Sequence, residues 1–162
     1  MNDLSPITER RFGVPPFETL RSMSGLDFLS AIMAGGLPSP PICRALDFRL
    51  VEVEKGRAAF IGNPSAAFYN PIGSVHGGYA ATLLDSCMGC AVHTMLEAGQ
   101  GYTTLEFKVN LVRAITDKTG PVRAEGRIIH AGRTTATSEG RLTDASGRLL
   151  AHGTTTCAVF AL

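Results

Sequence analysis

Between Ala58 and Leu96 the chain carries one fully charged side chain, Asp85. Ordinary chains place a charge at about one position in four, so nearly ten would be expected over such a length. From Gly77 to about Glu97 the run contains no proline, and Ala80, Leu84, Cys87, Met88, Ala91 and Met95 recur at helical spacing. A segment apolar nearly all round predicts a helix enclosed by the rest of the chain rather than half exposed. Gly99 and Gly101 are its expected stop. The fold must therefore be built around this helix. A carboxylate in its middle has poor helix propensity and no terminus to cap, so Asp85 needs a reason of its own.

The flanking segments say what does the enclosing. Residues 1–16 read as a loose leader ending in Pro15-Pro16, and "FETLRSMSGLDFLSAIMAG" predicts one or two short helices broken at Ser24-Gly25. "ALDFRLVEVEKGRAAFIGNP" reads as two strands joined at Lys55-Gly56. After the helix, "TLEFKVNLV" alternates strictly, with Leu105, Phe107, Val109 and Leu111 on one face and Thr104, Glu106, Lys108 and Asn110 on the other. "PVRAEGRIIHA" alternates likewise, and two further strands are joined by the hairpin turn Asp144-Ala145-Ser146-Gly147. One buried helix with about six antiparallel strands implies an α+β hotdog fold, a sheet curled around the helix. Residues 1–41 form the leader and short helices, and 42–162 the hotdog unit, within one domain overall.

The bulk numbers narrow the function. A chain of 162 residues with 15 basic and 14 acidic side chains has no large field to draw it to nucleic acid or an anionic membrane. "MNDLSPITERRF" lacks the apolar stretch of a signal peptide, so a cytoplasmic protein is expected. Cys87 and Cys90 form a C-x-x-C, but no second pair accompanies it and it lies deep in the helical pattern. Small buried apolar side chains are the expected role, and no metal site is expected. His93, His130 and His152 are scattered and receive no chemistry.

The neighbours of Asp85 suggest what it does. Gly77 and Gly78 stand at the helix start, where unpaired N–H groups and the positive dipole end point outward. Such donors stabilise a carbonyl oxygen gaining negative charge. Asn70 adds a neutral amide donor, and His76 is expected to orient the loop. Asp85 can then serve as general base or nucleophile toward that carbonyl. One helix cannot deliver both halves, because eight residues span about 12 Å at a rise of ~1.5 Å each. Two antiparallel copies can, with Gly77 of one near Asp85 of the other across a two-fold axis. A homodimer with shared sites follows.

The pattern N-x-x-G-x-x-H-G-G followed by L-x-D, carried by Asn70, Gly73, His76, Gly77, Gly78, Leu83 and Asp85, resembles the PaaI-like hotdog acyl-CoA thioesterases of the phenylacetic-acid-degradation type. The resemblance runs from about residue 25 to the C-terminus and includes "GRLLAHGTTT". It implies that Asn70 and Gly77 hold the thioester carbonyl, that Asp85 directs attack, and that a hydroxyl on the next strand, Thr104 or Thr103, assists. It implies dimers paired into tetramers and no cofactor beyond the coenzyme A of the substrate. For the phosphates of coenzyme A the chain offers Gly132, Arg133 and Thr134 at a turn, and Arg113 at the end of "LVRA". The acyl pocket is expected to be lined by Leu84, Met88, Leu26, Phe28, Leu29 and Met33. The same architecture hosts hydratases and acyl-CoA-binding regulators. The hydratase Asp-plus-His spacing is shorter than that found here, and the first 45 residues lack the charge and recognition helix of a regulator's DNA-binding segment.

Overall fold

A computed structural model describes residues 11–162. Short helices α1 (Phe17–Ser22), α2 (Gly25–Met33) and α3 (Pro41–Ala45) precede strands β1 (Phe48–Glu54) and β2 (Arg57–Gly62). The long helix α4 (Gly77–His93) follows, then β3 (Gln100–Leu111), β4 (Val122–Ala131), β5 (Thr135–Asp144) and β6 (Leu149–Ala161). The strands form one antiparallel sheet in the order β1-β2-β4-β5-β6-β3, curled around α4 as the hotdog expectation requires. The expected turns are present. Gly56 and Gly147 both adopt positive φ, and the Gly147 N–H closes the hairpin on the Asp144 carbonyl at 2.9 Å.

Gly126 of β4, Gly140 of β5 and Gly153 of β6 are register partners, forming a row across the sheet beneath α4. A Cβ on Gly126 would overlap the Cys87 carbonyl, and one on Gly140 would lie 2.8 Å from Met88 Cγ. Bare backbone here lets α4 press directly onto the sheet, burying Leu83, Leu84, Cys87 and Met88 completely. The helix ends at His93, short of the expected Glu97. Thr94 stops it: its hydroxyl donates to the Ala91 carbonyl and accepts the Gly56 N–H of the β1–β2 turn, both at 2.7 Å.

Strand β3 departs from strict alternation. Thr104 pairs with Cys157 but Glu106 with Thr156, so Leu105 is an extra, bulged residue. Val109 pairs with Gly153, whose missing Cβ would face Met88. The bulge therefore puts Thr104 on the α4-facing side with Phe107, Val109 and Leu111, not opposite them. Among the described residues β3 is an edge of the sheet, and Leu105, Phe107 and Leu111 are 63%, 42% and 60% exposed. The expected apolar face exists, but this chain does not cover it.

Part of the leader is anchored. Gly13 donates to the Ser39 carbonyl at 3.0 Å and Ser39 to that of Arg11 at 2.9 Å, while the Arg11 guanidinium reaches the carbonyls of Gly35 and Gly36. This strap fixes the loop leading into α3, so residues 11–13 are not loose. Residues 1–10 of the expected leader lie outside the described residues.

Candidate active site

At the start of α4 the chain turns at Asn70. The Asn70 Oδ1 accepts the N–H groups of Ile72 and Ser74 at 3.1 and 3.2 Å, and its Nδ2 donates to Ser74 Oγ at 3.0 Å. The amide thus builds the turn and keeps one Nδ2 hydrogen beyond it. His76 is the N-cap, with Nδ1 accepting the Gly78 N–H at 2.9 Å. This corrects the expectation for Gly78: its N–H is taken by His76. The Gly77 N–H meets no acceptor among the described residues, and the helix dipole leaves it as the open donor. A cavity of about 220 Å³ borders it, lined by Asn70, His76, Gly77, Leu111, Arg113 and Ile115. Arg113 is held there by a 2.6 Å hydrogen bond from Nη1 to the Leu149 carbonyl.

Asp85 lies on the stripe of α4 that the sheet leaves partly open, with Ala81, Thr82 and Ser86, opposite the buried Leu83, Leu84 and Cys87. Thr104 Oγ1 donates to Asp85 Oδ1 at 3.1 Å. The bulge makes this contact possible, and it brings Thr104, not the exposed Thr103, to the carboxylate. Beside them is a second cavity of about 210 Å³, bounded by Ile42, Cys43, Phe60, Gly89, Cys90 and Tyr102. None of the residues expected to line an acyl pocket borders it. Leu84 and Met88 are sealed against the sheet, and Phe28 and Leu29 belong to the core. This cavity is lined by α3, by Phe48, Phe60 and Tyr102 of the sheet, and by the face of α4 continuing past Asp85. Gly89 was the signal available in the sequence, a glycine inside a helix with no terminus to mark.

The C-x-x-C splits between two environments. Cys87 faces the sheet, where burial pushes its thiol far up, and Cys90 reaches the cavity wall, pushed by burial up to about 12. Both stay protonated near neutral pH and are poor nucleophiles. His93 is sandwiched between the rings of Phe28 and Tyr102, at 5.6 and 5.3 Å, and burial lowers its pKa to about 4. It is a neutral core imidazole. No group of three or more His, Cys, Asp or Glu gathers to hold a metal among the described residues.

Gly132, Arg133 and Thr134 form the β4–β5 turn and border neither of these two cavities. The Gly132 N–H closes the turn on the Thr135 carbonyl at 2.9 Å, so it is not an open phosphate donor as expected, while the Arg133 side chain is exposed. Ala136, Cys157 and Thr104 make one row across β5, β6 and β3, which sets this turn beyond the Thr104 end of the sheet. Arg113 is at the other end, with Gly77. The Gly77 and Asp85 cavities share no lining residue.

Residues 72–151 match the thioesterase superfamily. A protein named as an esterase in Saccharolobus solfataricus is 31% identical over 67% of this chain and 75% of its own length. The 1,4-dihydroxy-2-naphthoyl-CoA hydrolase of Listeria monocytogenes is 27% identical over 70% of this chain and 91% of its own. Among solved structures, a phenylacetic acid degradation-related protein of Ralstonia eutropha, described as a thioesterase, superposes with a TM-score of 0.73 at 28% identity, covering 81% of this chain and 98% of that one. A Streptococcus mutans protein bound to acetyl CoA gives 0.64 at 28% identity, over 70% and 89%. With its curled sheet, its central helix and these relatives, the chain belongs to the thioesterase superfamily, as a hotdog-fold thioester hydrolase.

Proposed function

We propose that the chain hydrolyses acyl-CoA thioesters in a dimer whose sites each combine Asp85 of one subunit with the Gly77 N–H of the other. The observation that carries this is the placement of the two half-sites at opposite ends of one uncovered apolar strand. Thr104, bonded to Asp85, lies near the start of β3, and Leu111, in contact with Gly77, lies at its end. An antiparallel partner strand paired about Lys108 would set Thr104 opposite Val112 of the partner subunit, one residue from the Leu111–Gly77 contact. The pairing also covers the edge that β3 otherwise leaves open. The same two-fold brings the Arg113 end of one subunit to the Arg133 end of the other, gathering two cations for the phosphates of coenzyme A.

In such a site Asp85, oriented by Thr104, takes a proton from water as the water oxygen attacks the thioester carbon. The carbonyl oxygen gains charge against the partner subunit's Gly77 N–H. Collapse of the tetrahedral species breaks the C–S bond, the Asp85 proton passes to sulfur, and a free acid and coenzyme A leave. The coenzyme A ester in the name of the Listeria relative and the acetyl CoA in the Streptococcus structure support this substrate class. The test is Asp85→Asn assayed by free-thiol release across an acyl-CoA panel. It should lose at least about two orders of magnitude in kcat with an unchanged circular dichroism spectrum. Near-normal turnover by the variant would overturn the mechanism.

A further inference from the structure

Glycine is among the poorest helix formers, and Gly89 occupies a turn of α4 that continues to His93. Its reason differs from that of the sheet glycines. The three atoms nearest a Cβ on Gly89 beyond its own helix all belong to the Tyr102 side chain, Oη at 3.1 Å, Cε2 at 3.2 Å and Cζ at 3.5 Å. Alanine there requires the Tyr102 ring, and no main chain, to give by a few tenths of an ångström. Helix packing therefore does not demand the missing side chain.

The position of Gly89 relative to the reactive groups supplies another reason. It follows Asp85 by four residues, one turn farther along the same helix face, about 6 Å away. On the facing strand, Tyr102 precedes Thr104 by two residues on the same face of β3, roughly 7 Å away. Helix and strand thus run as two rails from the Asp85–Thr104 pair to Gly89 and Tyr102, with the cavity between them. The cavity, at about 210 Å³, exceeds the ~150 Å³ of a void known to admit benzene. An acyl group of one ring or a short chain fills it, whereas a two-carbon group leaves most of it empty. Tyr102 is braced against the His93 ring at 5.3 Å, which limits how far it can swing aside.

We propose that Gly89, against which the Tyr102 ring rests, sets the upper size of the acyl group, because a side chain there would press on that ring, braced on its other side by His93, and drive it into the cavity. This assignment rests on the hydrolytic reading above and extends it to specificity. The test compares kcat/KM for acetyl-CoA and phenylacetyl-CoA by free-thiol release in the wild type, Gly89→Ala and Gly89→Ser, with thermal melts of each. One methylene in an apolar pocket changes discrimination by about 10–200-fold. The phenylacetyl-to-acetyl ratio should fall at least about tenfold in Gly89→Ala and no less in Gly89→Ser, while Gly89→Ala melts no lower than the wild type. An unchanged ratio, a ratio that recovers with the larger serine, or equal losses on both esters with a lowered Tm would overturn the assignment. A wild type that releases thiol from no member of the acyl-CoA panel would sink the hydrolytic reading itself, so the two failures are told apart.

Discussion

Replacing Gly77 by proline should delete one hydrogen-bond donor and little else. Gly77 is the first residue of α4, where proline is favoured, and its N–H has no acceptor among the described residues. His76 before it has φ −58 and ψ 137, the extended conformation that a following proline requires. A carbon at the Cβ position would approach Leu111 Cδ1 at 2.7 Å, but that is the far end of a flexible side chain bordering the Gly77 cavity, into which it can turn. The fold should survive, and loss of an oxyanion donor should cost about 10²–10³ in kcat, roughly 3–4 kcal/mol. The informative step is to unfold Gly77→Pro together with Asp85→Asn and refold them as a mixture. If a site takes Asp85 from one subunit and Gly77 from the other, each mixed dimer holds one site with both lesions and one with neither. At equal amounts about half the dimers are mixed, so roughly a quarter of all sites should regain full activity against a background near one per cent. Differently tagged subunits and a tandem pull-down isolate the mixed species for the thiol-release assay. Absence of recovery in dimers shown to be mixed would refute the shared site, since a site within one chain leaves every subunit with its own lesion.

Arg133→Ala should raise KM for coenzyme A esters while sparing small thioesters without the nucleotide, because it would bind a part of the substrate remote from the carbonyl; equal effects on both would make it structural. His93, neutral in the core with a pKa near 4 against about 6.5 unfolded, makes stability fall with acid, since below pH 6.5 only the unfolded chain takes the proton. Urea unfolding should lose roughly 3 kcal/mol between pH 7 and 4 from this group, and a His93→Gln variant with the same slope would contradict the assignment. Gly126→Ala pushes a Cβ against the α4 backbone and should cost about 3 kcal/mol, or roughly 6–12 °C in Tm; an unchanged melt would mean that the helix does not sit on that glycine.

The enclosed helix, the six strands and the separation of Gly77 from Asp85 were all legible in the sequence, because each follows from local periodicity or from helix rise. What escaped depends on partners distant in the chain. The bulge at Leu105 is set by the pairing of β3 with β6, so strict alternation put Thr104 on the wrong face. The Gly78 N–H looked open because nothing in "VHGG" says that the His76 ring folds back to take it. The strap from Arg11–Gly13 to Ser39 joins segments more than twenty residues apart, and it fixes the loop into α3 that bounds the Asp85 cavity. That Leu84 and Met88 are sealed from any cavity beside Asp85 escaped for a related reason. Helical spacing marks Leu84 and Met88 as apolar, but only the glycine row on three other strands shows that they face the sheet.

That glycine row also governs how the protein can change over evolutionary time. The height of α4 above the sheet is set by main chain against main chain, with no side chain as spacer at Gly126. Exchange of core leucines or methionines around it would loosen or tighten packing while the helix axis keeps its seat. Asp85 would hold its place over Thr104 through such drift, and the walls formed by α3 and the far turns of α4 would be free to vary. On the proposed hydrolytic reading, reaction chemistry and substrate choice would be carried by separately mutable parts of the chain, so a lineage could acquire a new acyl preference without rebuilding its catalytic centre.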